Sequence, residues 1–355
     1  MAADPRRDAH NRYRHGIAPE DRERVPYYTA LLEALSSSEV AIDLLLALPE
    51  EQRLPVLILA ILHWHALCGH EKLAPLYAPL PHGGDRAPEA FAAEVRAIVE
   101  ADPDLVLSQL HRRTQTNEVG RSAVLRAVLT ELRRRGLRTV NLVDLGASAG
   151  LNLYCDQFHV GDEPSELVLA CEPLIETDFG PIPLVHHRVG IDVNPLDLHD
   201  PEDARWLRAC LWPEEPLRLR RLETIESLLP SWPPLTLLRG SVLERLDDAI
   251  AICGTEHPTL FLHTWAAAYF TEAEQRALAA RLRALCATGD YYWVACEWGP
   301  AVPGLSLPPS VIEPPRPGAC QVAVTVPGHP TADWGWCHAH GRWVALAPPL
   351  PGPKG

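Results

Sequence analysis

The chain changes character at one place. Thr139-Val140-Asn141-Leu142-Val143-Asp144-Leu145 is a short β-type run, and Gly146-Ala147-Ser148-Ala149-Gly150 follows it directly. A strand that ends in small residues and restarts as Leu151-Asn152-Leu153 predicts a strand, a tight turn and a helix start. Gly146 permits the turn, Gly150 lets backbone approach a ligand, and a helix N-terminus offers N–H groups to an anion. Later runs repeat the pattern: VHHRVGIDV, LTLLRGSV, TLFLHTW and YYWVACEW each follow a segment of crossover length, with helices expected at Pro201 to Leu211 and Glu272 to Ala287. Strands alternating with helices indicate a mostly parallel, doubly wound α/β sheet. CQVAVTV and GRWVALA, separated by a Gly/Pro/Trp segment, look like a closing antiparallel pair.

Before Thr139 only helical signals occur. Ser36 with Glu39 reads as a capping box ahead of Val40 to Leu48, and Leu54 to Leu67 reads as a buried helix too short to span a bilayer. After a Pro/Gly-rich loop through Pro88 come a helix from Glu89 to Glu100 and a restart at Asp102-Pro103. A helix from about Glu118 to Arg135 carries Leu125, Val128, Leu129 and Leu132 on one face, with Gly136 as its cap. The expected division is a helical region over 1–115 and an α/β domain over 116–355.

The net charge of −14 repels phosphate backbones, so nucleic acid is disfavoured as a partner. The basic run Arg133-Arg134-Arg135 sits where it complements a helix C-terminus. Nine cysteines without C-x-x-C spacing read as buried reduced thiols rather than a metal site. No signal-type apolar segment follows the charged start, so a cytoplasmic protein without membrane association is expected.

The glycine loop resembles the first motif of S-adenosylmethionine-dependent methyltransferases, D/E-x-G-x-G-x-G, with Ser148 replacing the middle glycine. Asp144, Gly146, Ser148, Gly150 and Asn152 are then cofactor-binding candidates. A dinucleotide fingerprint needs glycine where Leu151 stands, which disfavours NAD. The same letters spell G-x-S-x-G, a nucleophile elbow, and Asp192 with His263 or His340 follows in hydrolase order. Against that reading, roughly 138 residues of helical pattern precede the first strand, which leaves no upstream sheet for an oxyanion hole. A structural turn without ligand is the third reading.

Asp192 ends the next strand, where an acidic residue accepts hydrogen bonds from ribose hydroxyls; Asn194 lies two residues on. Alternatively Asp192 simply opens the turn of NPLDL. The stretch Asp156 to His187 between the first two strands reads as an excursion, either a small hairpin or a substrate flap. Ser241, after the third strand, stands where an adenine ring would be met. His263 and Trp265 close the fourth strand and Glu297 with Trp298 the fifth; His263 and Glu297 are candidate catalytic bases, or His263 is satisfied by backbone. The Pro300 to Pro317 segment is a lid or an ordinary connection. Gln115-Thr116-Asn117-Glu118-Val119-Gly120-Arg121 is a dense polar cluster. The short link after its helix predicts an antiparallel return that sets Asn117, Glu118 and Arg121 above the glycine loop.

QTNEVGR, VDLGASAGLNL, GIDVNPLDLHDPEDARWLRACLWPE, FLHTW and a terminal HAHGRW, in that order, resemble the actinobacterial domain-of-unknown-function family numbered 2332 over nearly the whole chain. That family is regarded as methyltransferase-like from its glycine loop. The resemblance implies that Asn117, Glu118, Arg121, Asp144, Gly146, Ser148, Gly150, Asn152, Asp192, Asn194, His263, His340 and Arg342 match its motifs, and it supplies no substrate. Residues and resemblance together lead to a Rossmann-like class I methyltransferase fold behind an all-helical N-terminal region, with S-adenosylmethionine as cofactor and a small molecule as substrate. His263, Glu118 and Glu297 are the catalytic candidates, and Asn117, Arg121, Trp265 and His340 the substrate contacts. The alternatives are a non-catalytic cofactor-binding sensor or scaffold, and a serine hydrolase using Ser148.

Overall fold

The computed structural model describes residues 4–349 apart from 79, 81–85 and 116, so Thr116 and part of the Pro/Gly-rich loop lie outside the described residues. The chain divides into two compact units, Met1–Thr116 with Asp197–Ser227, and Asn117–Leu196 with Leu228–Gly355. Residues 197–227, which the sequence pattern assigns to the α/β domain, therefore belong with the helical unit.

That unit contains α1 (Pro5–His15), α2 (Pro26–Ser36), α3 (Glu39–Leu46), α4 (Pro55–Leu67), α5 (Ala74–Tyr77), α6 (Pro88–Ala101) and α7 (Asp104–Leu107). α8 (Arg121–Arg134) belongs to the second unit; α9 (Pro201–Cys210) and most of α10 (Pro216–Leu228) return to the first. α4 is apolar around nearly its whole circumference, and nine of its thirteen residues are buried. Within it, His63 hydrogen-bonds the Ala209 carbonyl at 3.1 Å, and burial pushes its imidazole down to about 4, which keeps it neutral in the core. No helix among the described residues is long and apolar enough to cross a membrane.

Two local expectations shift. The cap of α3 is Ser38, whose hydroxyl takes the Ala41 N–H, while Ser36 closes the preceding helix α2; Glu39 pairs with Arg6 instead of reaching back to a cap. The restart at Asp102-Pro103 yields the single turn α7, with Pro103 at the cap position.

The second unit is built on a sheet. Its strands are β1 (Thr139–Leu145), β2 (His159–Val160), β3 (Val168–Leu169), β4 (Glu172–Pro173), β5 (Leu184–Asp192), β6 (Thr236–Arg239), β7 (Thr259–Thr264), β8 (Tyr291–Glu297), β9 (Cys320–Thr325), β10 (Ala332–Cys337) and β11 (Trp343–Leu346). Nine of them form one sheet in the order β4-β11-β10-β9-β8-β7-β1-β5-β6. The pairings β6-β5, β5-β1, β1-β7 and β7-β8 are all parallel. Counted in chain order, these five strands run 3-2-1-4-5, so the direction of winding reverses at β1. In open α/β sheets that reversal opens a crevice at the carboxyl ends of the strands.

β1 is buried beyond Thr139 because neighbours cover both faces. Val143 and Leu145 point into a core shared with α11 (Val242–Cys253) and α12 (Glu272–Thr288), together with Val189, Ile191, Phe261 and Trp293. Its buried amide, Asn141, donates to the Cys253 and His257 carbonyls and accepts from His187 N–H, so the side chain is satisfied. α8 returns antiparallel to β1. Its start bonds the segment beyond the glycine loop through Ser122 and Asn152, whereas Thr130 and Arg133, near its end, bond the carbonyls of Gly180 and Ile182. Arg135 stacks on Trp334 and pairs with Glu131, which accounts for much of the basic run.

The end of the chain differs from the expected antiparallel pair. CQVAVTV and GRWVALA do not pair with each other; β10, ADWGWC, lies between them in the sheet and pairs antiparallel with both. Asp333 and Gly335 break the apolar pattern there and hide the strand in the sequence. The excursion Asp156 to His187 is neither hairpin nor flap: β2 and β3 pair parallel, and β4 adds to the far edge of the sheet beside β11. The Pro300 to Pro317 segment is pinned rather than lid-like, since Gln321 donates to the Pro308 carbonyl and Asp333 accepts from Ser310 Oγ and Val311 N–H.

Candidate functional site

The glycine loop leaves β1 in left-handed backbone. Gly146 has φ +98° and Gly150 +72°, and Ser148, which carries a side chain, sits at +53°. Both glycines are demanded by protein packing. A Cβ on Gly146 would lie 2.4 Å from the Ala266 Cβ, and one on Gly150 2.6 Å from Leu235 Cδ2. Gly150 thus meets leucine where the sequence suggested a ligand.

The loop amides are largely engaged. Gly146 and Ala147 both donate to the Ile191 carbonyl at 2.8 and 3.0 Å, and Gly150 donates to Ala147 at 2.7 Å. Ser148 N–H donates to Asp192 Oδ2 at 2.8 Å, and Leu151 N–H to Asn117 Oδ1 at 2.9 Å. Asn117 therefore caps the helical segment directly after the loop, a 3-10 helix over Leu151–Gln157. Asp192 hooks the loop from the neighbouring strand, and its other oxygen takes Asn194 N–H at 2.8 Å. Asn194 accepts from Arg239 at 2.8 Å, and Asn152 accepts from Ser122 Oγ at 3.2 Å. One polar atom stands out. Ser148 Oγ is buried, the residue being 7% exposed, and has no hydrogen-bond partner among the described residues. Ser148→Ala should accordingly leave urea stability unchanged or raise it by at most about 1 kcal/mol; a loss above that would reveal a bond to this hydroxyl.

Beneath the loop, burial pushes the Asp144 carboxyl up to about 7; Arg121 opposes the shift and Asp192 adds to it. Arg121 donates from Nε to the Ala339 carbonyl and from Nη1 to the Thr264 carbonyl, each at 2.9 Å. It lines a narrow cleft with Thr264, Trp265, Cys320, His338 and Ala339. Trp265 is held at φ +56° there, donating from its indole to Cys320 Sγ at 2.7 Å.

Glu118 and His340 meet at the start of α8. Glu118 Oε1 accepts Gly120 N–H at 2.9 Å, and Oε2 lies 3.5 Å from His340 Nδ1. The sequence expectation that α8 begins at Glu118 is off by three residues, because this carboxylate turns back onto the backbone ahead of Arg121 instead of entering the helix.

His263 and Glu297 are not placed as bases. His263 is 1% exposed; its Nδ1 lies 2.7 Å from Glu297 Oε1, and Trp293 Nε1 donates to its Nε2 at 2.9 Å. The indole can only donate, so Nε2 accepts and the proton sits on Nδ1. Glu297 Oε1 also takes the N–H groups of Ala266 and Ala267, each at 3.1 Å. The pair is a lock that holds the β7 loop against Gly146. Ser241 is likewise spoken for: it caps α11 in a reciprocal box with Glu244. Of the aromatic candidates, Trp293, Trp334 and Trp343 are buried in the core, while Trp298 is exposed at the end of β8. Sequence reasoning missed the long-range cap by Asn117 and the Glu118–His340 pairing; the polar density of QTNEVGR was the available signal.

Nor is a nucleophile elbow assembled. No histidine reaches Ser148 Oγ among the described residues, and both nitrogens of His263 are committed elsewhere. Among the described residues no cluster of three or more His, Cys, Asp or Glu has metal-binding geometry, and all nine cysteines are unpaired.

Comparison with curated proteins finds no match to this chain. The model of domain-of-unknown-function family 2332, described as an uncharacterized protein conserved in bacteria, matches residues 10–345, and the chain belongs to that bacterial family.

Proposed function

We propose that this protein binds S-adenosylmethionine at the carboxyl ends of β1 and β5 and methylates a small molecule. The observation that carries this reading is the placement of the D-x-G-x-S-x-G loop at the strand reversal, hooked by Asp192 from the adjacent strand. The residues fit such a group in two respects. Ser148 Oγ is buried at the loop without a partner among the described residues, and Asp192 is part-exposed at the strand end. Asp192 would hold ribose hydroxyls and Ser148 would donate to the cofactor; the cofactor supplies an electrophilic methyl group. Asn117, by capping Leu151, fixes the loop before any ligand arrives, and such preorganisation favours binding.

Titration calorimetry with S-adenosylmethionine and S-adenosylhomocysteine tests the reading. Saturable heat is expected with the wild type. Ser148→Ala should lose up to about tenfold in affinity, one neutral hydrogen bond. Gly146→Val, which must displace Ala266, should lose binding altogether. Absence of heat and of any thermal shift with the folded wild type sinks the proposal.

A further inference from the structure

With His263 and Glu297 locked inside the sheet, the candidate site retains one other carboxylate–imidazole pair among the described residues. Glu118 is buried, and Gly120 N–H fixes one of its oxygens. The other faces Nδ1 of His340 at 3.5 Å, an ion-pair distance of the kind that tightens when the ring gains a proton. The His340 side chain is 28% exposed, against 1% for His263.

Three contacts hold His340 in that position. Its own N–H donates to His338 Nδ1 at 2.9 Å. Arg121 ties the preceding Ala339 carbonyl to the end of β7 through its second bond, to Thr264. Gly120 and Gly341 lie backbone to backbone: a Cβ on Gly341 would sit 2.0 Å from the Gly120 carbonyl oxygen, and one on Gly120 2.3 Å from that of His340. The β10–β11 turn and the start of α8 are thereby fastened together at the carboxyl end of the parallel strands. Charged and titratable groups near the ring include Glu118, Arg121 and His338, whose ring centroid is 5.6 Å away.

We propose that His340, oriented by Glu118, is the proton acceptor of this site, and that the substrate therefore attacks through a hydroxyl or amine that must lose a proton. The inference rests on the methyl-transfer reading. As the substrate oxygen or nitrogen bonds the methyl carbon, the electron pair of the breaking carbon–sulfur bond goes to sulfur. The substrate proton passes to His340 Nε2, and Glu118 Oε2 stabilises the imidazolium at Nδ1–H. Glu118 is a positioning residue here, because it acts through the histidine.

Diethyl pyrocarbonate, which acylates neutral imidazole nitrogen, tests the pair without a known substrate. Residue-resolved mass spectrometry of the full chain across a pH series gives the rate at each histidine, with the exposed His15 and His199 as internal references. His340 should react, with a pH midpoint that moves lower in Glu118→Gln, while the reference midpoints stay fixed. A carboxylate that merely braced the fold would leave that midpoint where it was. An unreactive His340 in the folded wild type overturns the assignment without any variant, and so does a midpoint indifferent to Glu118→Gln. Calorimetry with S-adenosylmethionine on the same preparation separates the two claims. Failure there removes the methyl-transfer reading, whereas failure at His340 removes only its proton acceptor.

Discussion

Glu297→Ala is expected to destabilise the sheet unit by about 4 kcal/mol or more, read as a fall in the urea midpoint with an unchanged slope. One oxygen of this residue accepts three buried donors: His263 Nδ1–H and the amides of Ala266 and Ala267. Each donor left without a partner costs roughly 1–3 kcal/mol, and the emptied volume adds a cavity cost. Glu297→Gln keeps an acceptor for the same three donors and should lose clearly less. Equal losses in the two variants would mean that charge, not the acceptor, holds the β7 loop.

The second large effect has the opposite sign. Asp144→Asn should stabilise the protein at pH 8 while flattening its pH dependence. In the folded chain this carboxyl is pushed from an ordinary value of 3.8 up to about 7 by burial. The native state therefore keeps a proton that the unfolded chain has already released, and native stability falls as pH rises from about 4 through 7. A rise of that size corresponds to roughly 4 kcal/mol between the two ends of that window. Asparagine carries no charge, so the share of the slope due to Asp144 should vanish and most of that difference should be regained at pH 8, while Glu214 in the helical unit, also pushed up to about 7 by burial, keeps its own share. Urea unfolding at pH 5 and pH 8 for both proteins measures it. A slope undiminished in Asp144→Asn would place the titration elsewhere.

What the sequence makes legible follows from how each segment is buried. β1, β7 and β8 are visible because central parallel strands are covered on both faces and read as mostly apolar runs, and β5 shows the same only in its second half, RVGID. β10 is invisible for the converse reason. Its Asp333 is buried but satisfied by Gln321, Ser310 and Val311, partners far along the chain. The glycine loop is legible as a turn, yet the atoms that cap it are not. Asn117 lies 34 residues from Leu151, and Asp192 lies 44 from Ser148. His263 and Glu297 are each readable as polar ends of strands. That they spend their hydrogen bonds on one another depends on β7 lying beside β8, which no local pattern announces. The Ser36 cap fails more simply: Ser36, Ser37 and Ser38 stand in a row, and only the helix itself selects the third.

The discontinuity of the two units sets an order on synthesis. A ribosome delivers the chain from its N-terminus, and domains close as their residues emerge. The helical unit needs 197–227, so α4 waits for α9 while β1 and β5 are already outside. β1 in turn lacks one neighbour until β7 is made, although its other neighbour precedes the returning helices. The first unit is incomplete when the second begins, and from the emergence of Leu145 until Ser227 is made an apolar helix and an apolar strand both await partners. Folding of this protein during translation is thus a single interleaved event, with its most aggregation-prone interval midway through the chain.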